Sequence, residues 1–126
     1  MDIHLNEKLA DNYPKLFKGR NSTSRTTLIM YGCECGNGWY DLLDKAFEKL
    51  EPFDLTLIQV KEKFGRLCIY FDGGIPEEAR KIVDLAEAIS NEVCEVCGGP
   101  GIIRHDGWVR VLCDSCDDKR GINDRI

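Results

Sequence analysis

Two pairs of cysteines, Cys94-x-x-Cys97 and Cys113-x-x-Cys116, with residues 98–112 between them, constrain this chain more than any other feature. Two residues between cysteines let a tight turn aim both sulfurs at one point. Two such turns complete a tetrahedron of thiolates, with zinc–sulfur distances of about 2.3 Å. Gly98 follows the first pair, and glycine tolerates the positive φ that folds backbone around an ion and turns N–H groups toward the sulfurs. The reading is one structural Zn2+ held by Cys94, Cys97, Cys113 and Cys116, with disulfides or unligated thiols as the alternative. Seven cysteines is an odd number, and the opening stretch MDIHLNEKLADNYPKLF lacks the apolar core of an export signal. A reducing, cytoplasmic compartment is expected, where thiols stay free or hold metals.

The residues between the pairs read as a hairpin. Ile102-Ile103-Arg104 and Trp108 to Leu112 have strand composition, and His105-Asp106-Gly107 supplies the turn. After Cys116 the chain is polar, with no strand-like alternation, and Asp114 or Ser115 is a candidate helix cap. Knuckle, hairpin and short helix make a treble-clef-like module. A zinc ribbon, which needs strands on both sides of its second knuckle, is the second choice.

Upstream, Leu42, Leu43, Ala46, Phe47 and Leu50 recur at helical spacing, predicting a helix over 39–50. Branched and aromatic residues over 54–63 and 66–71, joined across Phe64-Gly65, predict a second hairpin. Pro76 opens another helix with Glu77 and Glu78 in its first turn, and Ala79, Ile82, Val83, Ala86, Ile89 and Val93 form its buried stripe. Residues 5–17 suggest a short helix broken at Pro14, and Thr26 to Tyr31 a strand. The expected fold class is α+β: a small helix–β-hairpin–helix core (37–93), an N-terminal segment packed on or extending it (1–36), and a zinc module (94–126) docked without a linker. At 126 residues, 43% hydrophobic and 31% charged, such a core is affordable for one domain. No apolar run approaches the roughly 18 residues that a membrane span needs.

The stretches CGNGWYDLLDKAFEKLE, IQVKEKFGRLCIYFDGG and CEVCGGPGIIRHDGWVRVLCDSC, covering roughly residues 33 to 116, resemble a group of small zinc-knuckle proteins encoded by bacteriophages and prophages. The resemblance implies a phage-related origin and a zinc module, and brings no assigned activity. Members of that group often carry histidine at one or both positions of the second pair, where this chain has Cys113 and Cys116.

Four cysteines close a zinc site, whereas a catalytic zinc keeps a position for water, so the ion reads as structural. The end LCDSCDDKR resembles that of an HNH-type nuclease, yet that chemistry needs one histidine to activate water and further ligands to hold a catalytic cation beside the phosphate. This chain has only His4 and His105, and Asp117 stands where the later histidine belongs. His105 reads as an exposed turn residue. Cys33 and Cys35, with Cys68 and His4, make a poor second metal set because one intervening residue is a poor bite, and a redox Cys33/Cys35 pair is equally disfavoured. Cys68 reads as a small buried hydrophobe in a strand.

The expected activity is therefore non-enzymatic binding: an accessory protein contacting a host or phage macromolecule, with a protein partner first and nucleic acid second. A net charge of −5 opposes a wholly basic coat. Lys61, Lys63 and Arg66 nevertheless gather at the first hairpin turn, and Lys8, Lys15, Lys18, Arg20 and Arg25 form a second basic group. Lys61, Lys63, Arg66 and Trp108 are the candidate ligand contacts. The competing reading makes the lysines a solvated strand edge and places Trp39 and Trp108 in the core, Trp108 covering the zinc knuckle.

Overall fold

Phe64 and Gly65 both adopt positive φ, 52° and 82°, as in the mirror-image two-residue turns whose twist suits a hairpin. They join β2 (Leu57–Lys63) to β3 (Arg66–Phe71), with Lys63 opposite Arg66 and Val60 opposite Ile69. β1 (Cys33–Glu34) pairs in parallel with the other side of β2, which is therefore central. The computed structural model containing these elements describes residues 1–20, 29 and 32–124.

Alternation along the strands gives the sheet two unlike faces. Val60, Leu67 and Ile69 are buried on the covered side, while Lys61, Lys63, Arg66, Cys68 and Tyr70 stand on the other. Lys61 and Lys63 thus lie on the open face of a central strand and do not guard an edge.

Two amphipathic helices form the cover, α2 (Tyr40–Leu50) packing on α3 (Glu77–Ser90) and α3 on β3. α2 buries Leu43, Ala46, Phe47 and Leu50, and a single 3-10 turn, Asn37–Trp39, precedes it where the helix was expected to begin. In α3 the buried positions are Ala79, Val83, Ala86 and Ser90. Ile89, expected in this stripe, is 37% exposed, because the Ser90 hydroxyl occupies the inward position and accepts the Leu67 N–H at 3.0 Å. One turn earlier, the Glu87 carboxylate accepts the Ile69 N–H at 3.0 Å. These two side chains take up backbone donors of β3 that no further strand among the described residues pairs.

The N-terminal segment belongs to the same core. α1 (Ile3–Asn12) is capped by the Asp2 side chain, which accepts the His4 N–H, and it stops before Pro14 as proline sterics require. Tyr13 and Phe17 then meet the Phe47 ring edge to face, with centroids 5.9 and 5.5 Å apart. The Leu57 N–H donates to the Leu16 carbonyl at 2.9 Å, tying this segment to the start of β2. The strand expected over 26–31 falls outside the described residues apart from Ile29, which is buried.

Beyond α3 come a small hairpin, β4 (Ile102–Arg104) and β5 (Arg110–Leu112), and a last helix, α4 (Asp114–Asp124). The fold class is α+β with a cysteine-rich C-terminal module. No helix among the described residues is long and apolar enough to cross a membrane.

Candidate metal centre

The four cysteines of the two pairs converge. Their sulfurs all lie within 4.8 Å of one another, and those of Cys97 and Cys113 are 3.6 Å apart. A tetrahedron with metal–sulfur bonds of about 2.3 Å sets its sulfurs roughly 3.8 Å apart, so the donor set fits one ion. Cys94 and Cys97 occupy a tight turn closed by the Gly98 N–H to the Cys94 carbonyl at 2.9 Å, and Gly98 takes the positive φ of 82° that its type permits. The Gly99 N–H points at the Cys97 sulfur at 3.5 Å.

The second pair begins α4. Cys113 immediately precedes the helix, and its sulfur accepts the Cys116 N–H at 3.4 Å, in the place where a capping oxygen ordinarily sits. The expected caps do otherwise: the Asp114 carboxylate receives the Arg104 guanidinium at 2.8 Å. Asp117, the residue in the nuclease histidine's place, lies between Arg104 and Arg120 at 3.5 and 3.7 Å. Arg120 donates to the carbonyls of Asp106 and Trp108, lashing α4 to the hairpin turn.

Thiol chemistry at the cluster is divided. Burial pushes the Cys94 thiol up, but backbone hydrogen bonds at Cys97, Cys113 and Val96 outweigh it and bring it down to about 6, toward the thiolate that binds metal. Cys116 is pushed up to about 12, first by hydrogen bonding to Cys113 and then by burial. Four adjacent sulfurs do not all ionise without a cation among them. The arrangement is suited to a metal ion, and all four corners of its tetrahedron come from the protein.

The knuckle is built into the core. The Gly38 N–H donates to the Glu95 carbonyl, and the Gly36 N–H to the Glu95 carboxylate, each at 2.8 Å. A Cβ on Gly38 would collide with the Cys94 carbonyl, and one on Gly36 with that of Glu95, which is why the approach to α2 reads Gly-Asn-Gly. Glu95 is buried, and burial pushes its carboxyl up, opposed by the Gly36 N–H and Arg110. Its second oxygen has no hydrogen bond, with the Arg110 guanidinium 3.6 Å away. Nothing in the cysteine spacing announces this buried carboxylate, although its place inside Cys-Glu-Val-Cys was visible.

Other candidates are placed differently. Cys33 and Cys35 are buried thiols beside β2, and among the described residues the metal-ligating cluster is the one at Cys94, Cys97, Cys113 and Cys116. Cys68 is half-exposed on the open sheet face, so its reading as a buried hydrophobe is corrected by strand alternation. His105 is exposed in its turn. Trp39 is fully buried, but Trp108 is 75% exposed, which overturns its expected role as a cover for the knuckle. β5 starts only at Arg110, so Trp108 belongs to the turn, where its backbone carbonyl is held and its ring is not. In the second basic group, Lys18 pairs with Asp54 and Arg20 with Asp11, and Arg25 lies outside the described residues.

Sequence reasoning missed Phe64. It is 74% exposed at the tip of the β2–β3 turn, in a left-handed conformation unfavourable to a bulky residue. A Cβ on its neighbour Gly65 would lie 3.3 Å from side-chain carbons of Ile103 and Val109, so the two hairpins abut there. Phe64 and Trp108 are each one residue from that contact.

Comparison with protein-family models, with curated proteins and with solved structures found no match for this chain.

Proposed function

We propose that this is a zinc-stabilised binding protein that acts by contacting a macromolecule and not by catalysis. The carrying observation is the pair of exposed aromatics, Phe64 and Trp108, at abutting hairpins beside a cysteine cluster. Exposed aromatic rings add little to folding, and Phe64 sits in a backbone conformation that costs roughly 1–2 kcal/mol for a residue with a Cβ. Both are features that a recognition surface explains and a folded core does not.

Zinc is the ion that suits four thiolates in a closed tetrahedron, and the module's order of knuckle, hairpin and helix supports a treble-clef-like reading. In this reading the ion fixes the Trp108 hairpin against the Phe64 hairpin. A non-catalytic role is supported by the four sulfur donors, which leave no corner for a reacting water, and by Asp117 being engaged with two arginines. A phage or prophage origin for this accessory protein rests on the resemblance of residues 33–116.

The test is affinity capture with zinc-loaded protein and with a Phe64→Asn/Trp108→Ala double variant shown to be folded by its circular dichroism. A macromolecule of either kind retained by the parent and lost by the variant is the expected result. Identical retention by both would remove the two-hairpin surface as the binding site.

A further inference from the structure

The macromolecule is identified more closely by the sheet's open face. We infer that this face and the adjoining hairpin tip bind single-stranded nucleic acid, an inference that rests on the binding reading above.

Three cations stand on the face, and none has a carboxylate within ion-pair distance among the described residues: Lys61, Lys63 and Arg66. Glu62, their neighbour in sequence, faces elsewhere and accepts the Gly65 N–H at 2.9 Å. Glu34, in register with Lys61 on β1 and accepting from the neutral Gln59 amide at 3.2 Å, sets one carboxylate against these three cations. Local charge is therefore positive on a chain whose total is −5, a contrast that selects for a polyanion.

Aromatic rings accompany these cations. Tyr70 shares the face and is 40% exposed, with the Lys61 ammonium 5.9 Å from its ring centre. Phe64 lies at the tip between Lys63 and Arg66, and Trp108 lies beyond the junction with the second hairpin. Phe64, Tyr70 and Trp108 are the large exposed aromatics among the described residues, and all three belong to the hairpins. Past Tyr70 the surface dips into a groove of about 330 Å³ whose lining includes Arg80 and Glu87, the latter's carboxylate engaged by the Ile69 N–H.

From Arg66 to Tyr70 is about 13 Å of strand, with Phe64 in the turn just beyond its start. Rings that take unpaired bases and cations that take the intervening phosphates are what a strand-tracking surface requires. Duplex nucleic acid keeps its bases stacked inside and offers these rings nothing. An acidic peptide would satisfy the cations but has no general use for the exposed rings of Tyr70 and Phe64 beside them.

The experiment is fluorescence anisotropy of the zinc-loaded full chain with a labelled 12-nucleotide oligothymidylate, repeated with the same-length duplex and with polyglutamate. Saturable oligothymidylate binding that exceeds duplex binding is expected, weakening with salt at a log–log slope near −2, as about three phosphate contacts give. Phe64→Ala, Tyr70→Ala and Trp108→Ala should each weaken it by about 5- to 150-fold, matching a stacking loss of about 1–3 kcal/mol. Lys63→Ala should flatten the salt slope by about 0.7. Phe64→Asn, which suits the turn, guards against misfolding and should weaken binding like Phe64→Ala.

Absence of binding at 50 mM salt, preference for duplex or polyglutamate, or indifference to all three aromatic substitutions would overturn the inference. A protease-sensitive, nuclease-resistant partner captured by the parent and lost by the double variant would overturn it too. That last result would leave the binding platform standing.

Discussion

The indole N–H of Trp39 donates to the backbone carbonyl of Val93 at 2.9 Å, with the tryptophan fully buried. This bond joins the start of α2 to the residue that precedes the first metal-site cysteine. Trp39→Phe keeps much of the apolar contact but strands a carbonyl away from water, a loss of about 1–3 kcal/mol. A urea midpoint lowered accordingly, with the slope unchanged, is expected. An unchanged midpoint would mean that water reaches Val93.

Gly38→Ala asks the same junction for room that it lacks. The added methyl meets the Cys94 carbonyl, so backbone must shift on one side or the other. A loss on the order of 3 kcal/mol is expected, along with weaker metal retention in a competition with a chromophoric chelator. Gly73→Ala is the control for a glycine with open space around it, though its φ of 78° adds strain of its own.

Chelation should reach further than the cysteine module. Apparent zinc binding of about 10–16 kcal/mol is comparable with the whole stability of a small domain. The Gly36 and Gly38 amides donate to Glu95, so hydrogen exchange should show them losing protection together with residues 94–116. Protection lost only within 94–116 would show that the knuckle leaves without disturbing the core. Cys97→Ser should mimic chelation.

The buried thiols give a pH dependence of known sign. Burial pushes Cys33 from 9.0 up to about 12, and Cys35 is raised for the same leading reason. The folded chain keeps protons that the unfolded chain releases above pH 9. Their stabilising contribution is thus complete below pH 9 and declines as pH climbs toward 12, by about 1.4 kcal/mol per pH unit for each thiol. A Cys33→Ala/Cys35→Ala variant should show a shallower alkaline decline than the parent. In the folded protein, a thiol reagent should modify half-exposed Cys68 well before either buried Cys33 or Cys35.

Phe64→Asn should raise stability by about 0.5–1 kcal/mol, because asparagine accepts the left-handed backbone of the turn more readily. The readout is the thermal midpoint. A fall would show that Phe64 contributes packing that its exposure conceals.

Much of this architecture is legible in the sequence. Helix α2, both hairpins and the cysteine cluster follow from periodicity, turn composition and Cys-x-x-Cys spacing, signals confined to a few neighbouring residues. The errors lie where tertiary partners decide. Hydropathy assigned Ile89 to the core of α3, but the inward position went to Ser90 because a β3 amide needed an acceptor there. The chemistry of Trp108 points to the core, yet the short β5 leaves it in a turn with its ring exposed. Cys68 was assigned by residue type when its face was fixed by the register of β2 and β3. Phe64 reads in the sequence only as the first half of the Phe64-Gly65 join, and the approach of Gly65 to Ile103 and Val109 is what reveals its place.

Glu87 and Ser90 occupy the amides of Ile69 and Leu67 with side chains from the chain's own helix. A strand bordering the sheet with these two donors taken offers a poorer template on which another copy can extend the ladder, so ribbon-like self-assembly is discouraged along that border. Replacing either residue by alanine would uncover the seam, and the cost would appear as turbidity at high concentration before it appeared as a lower melting point.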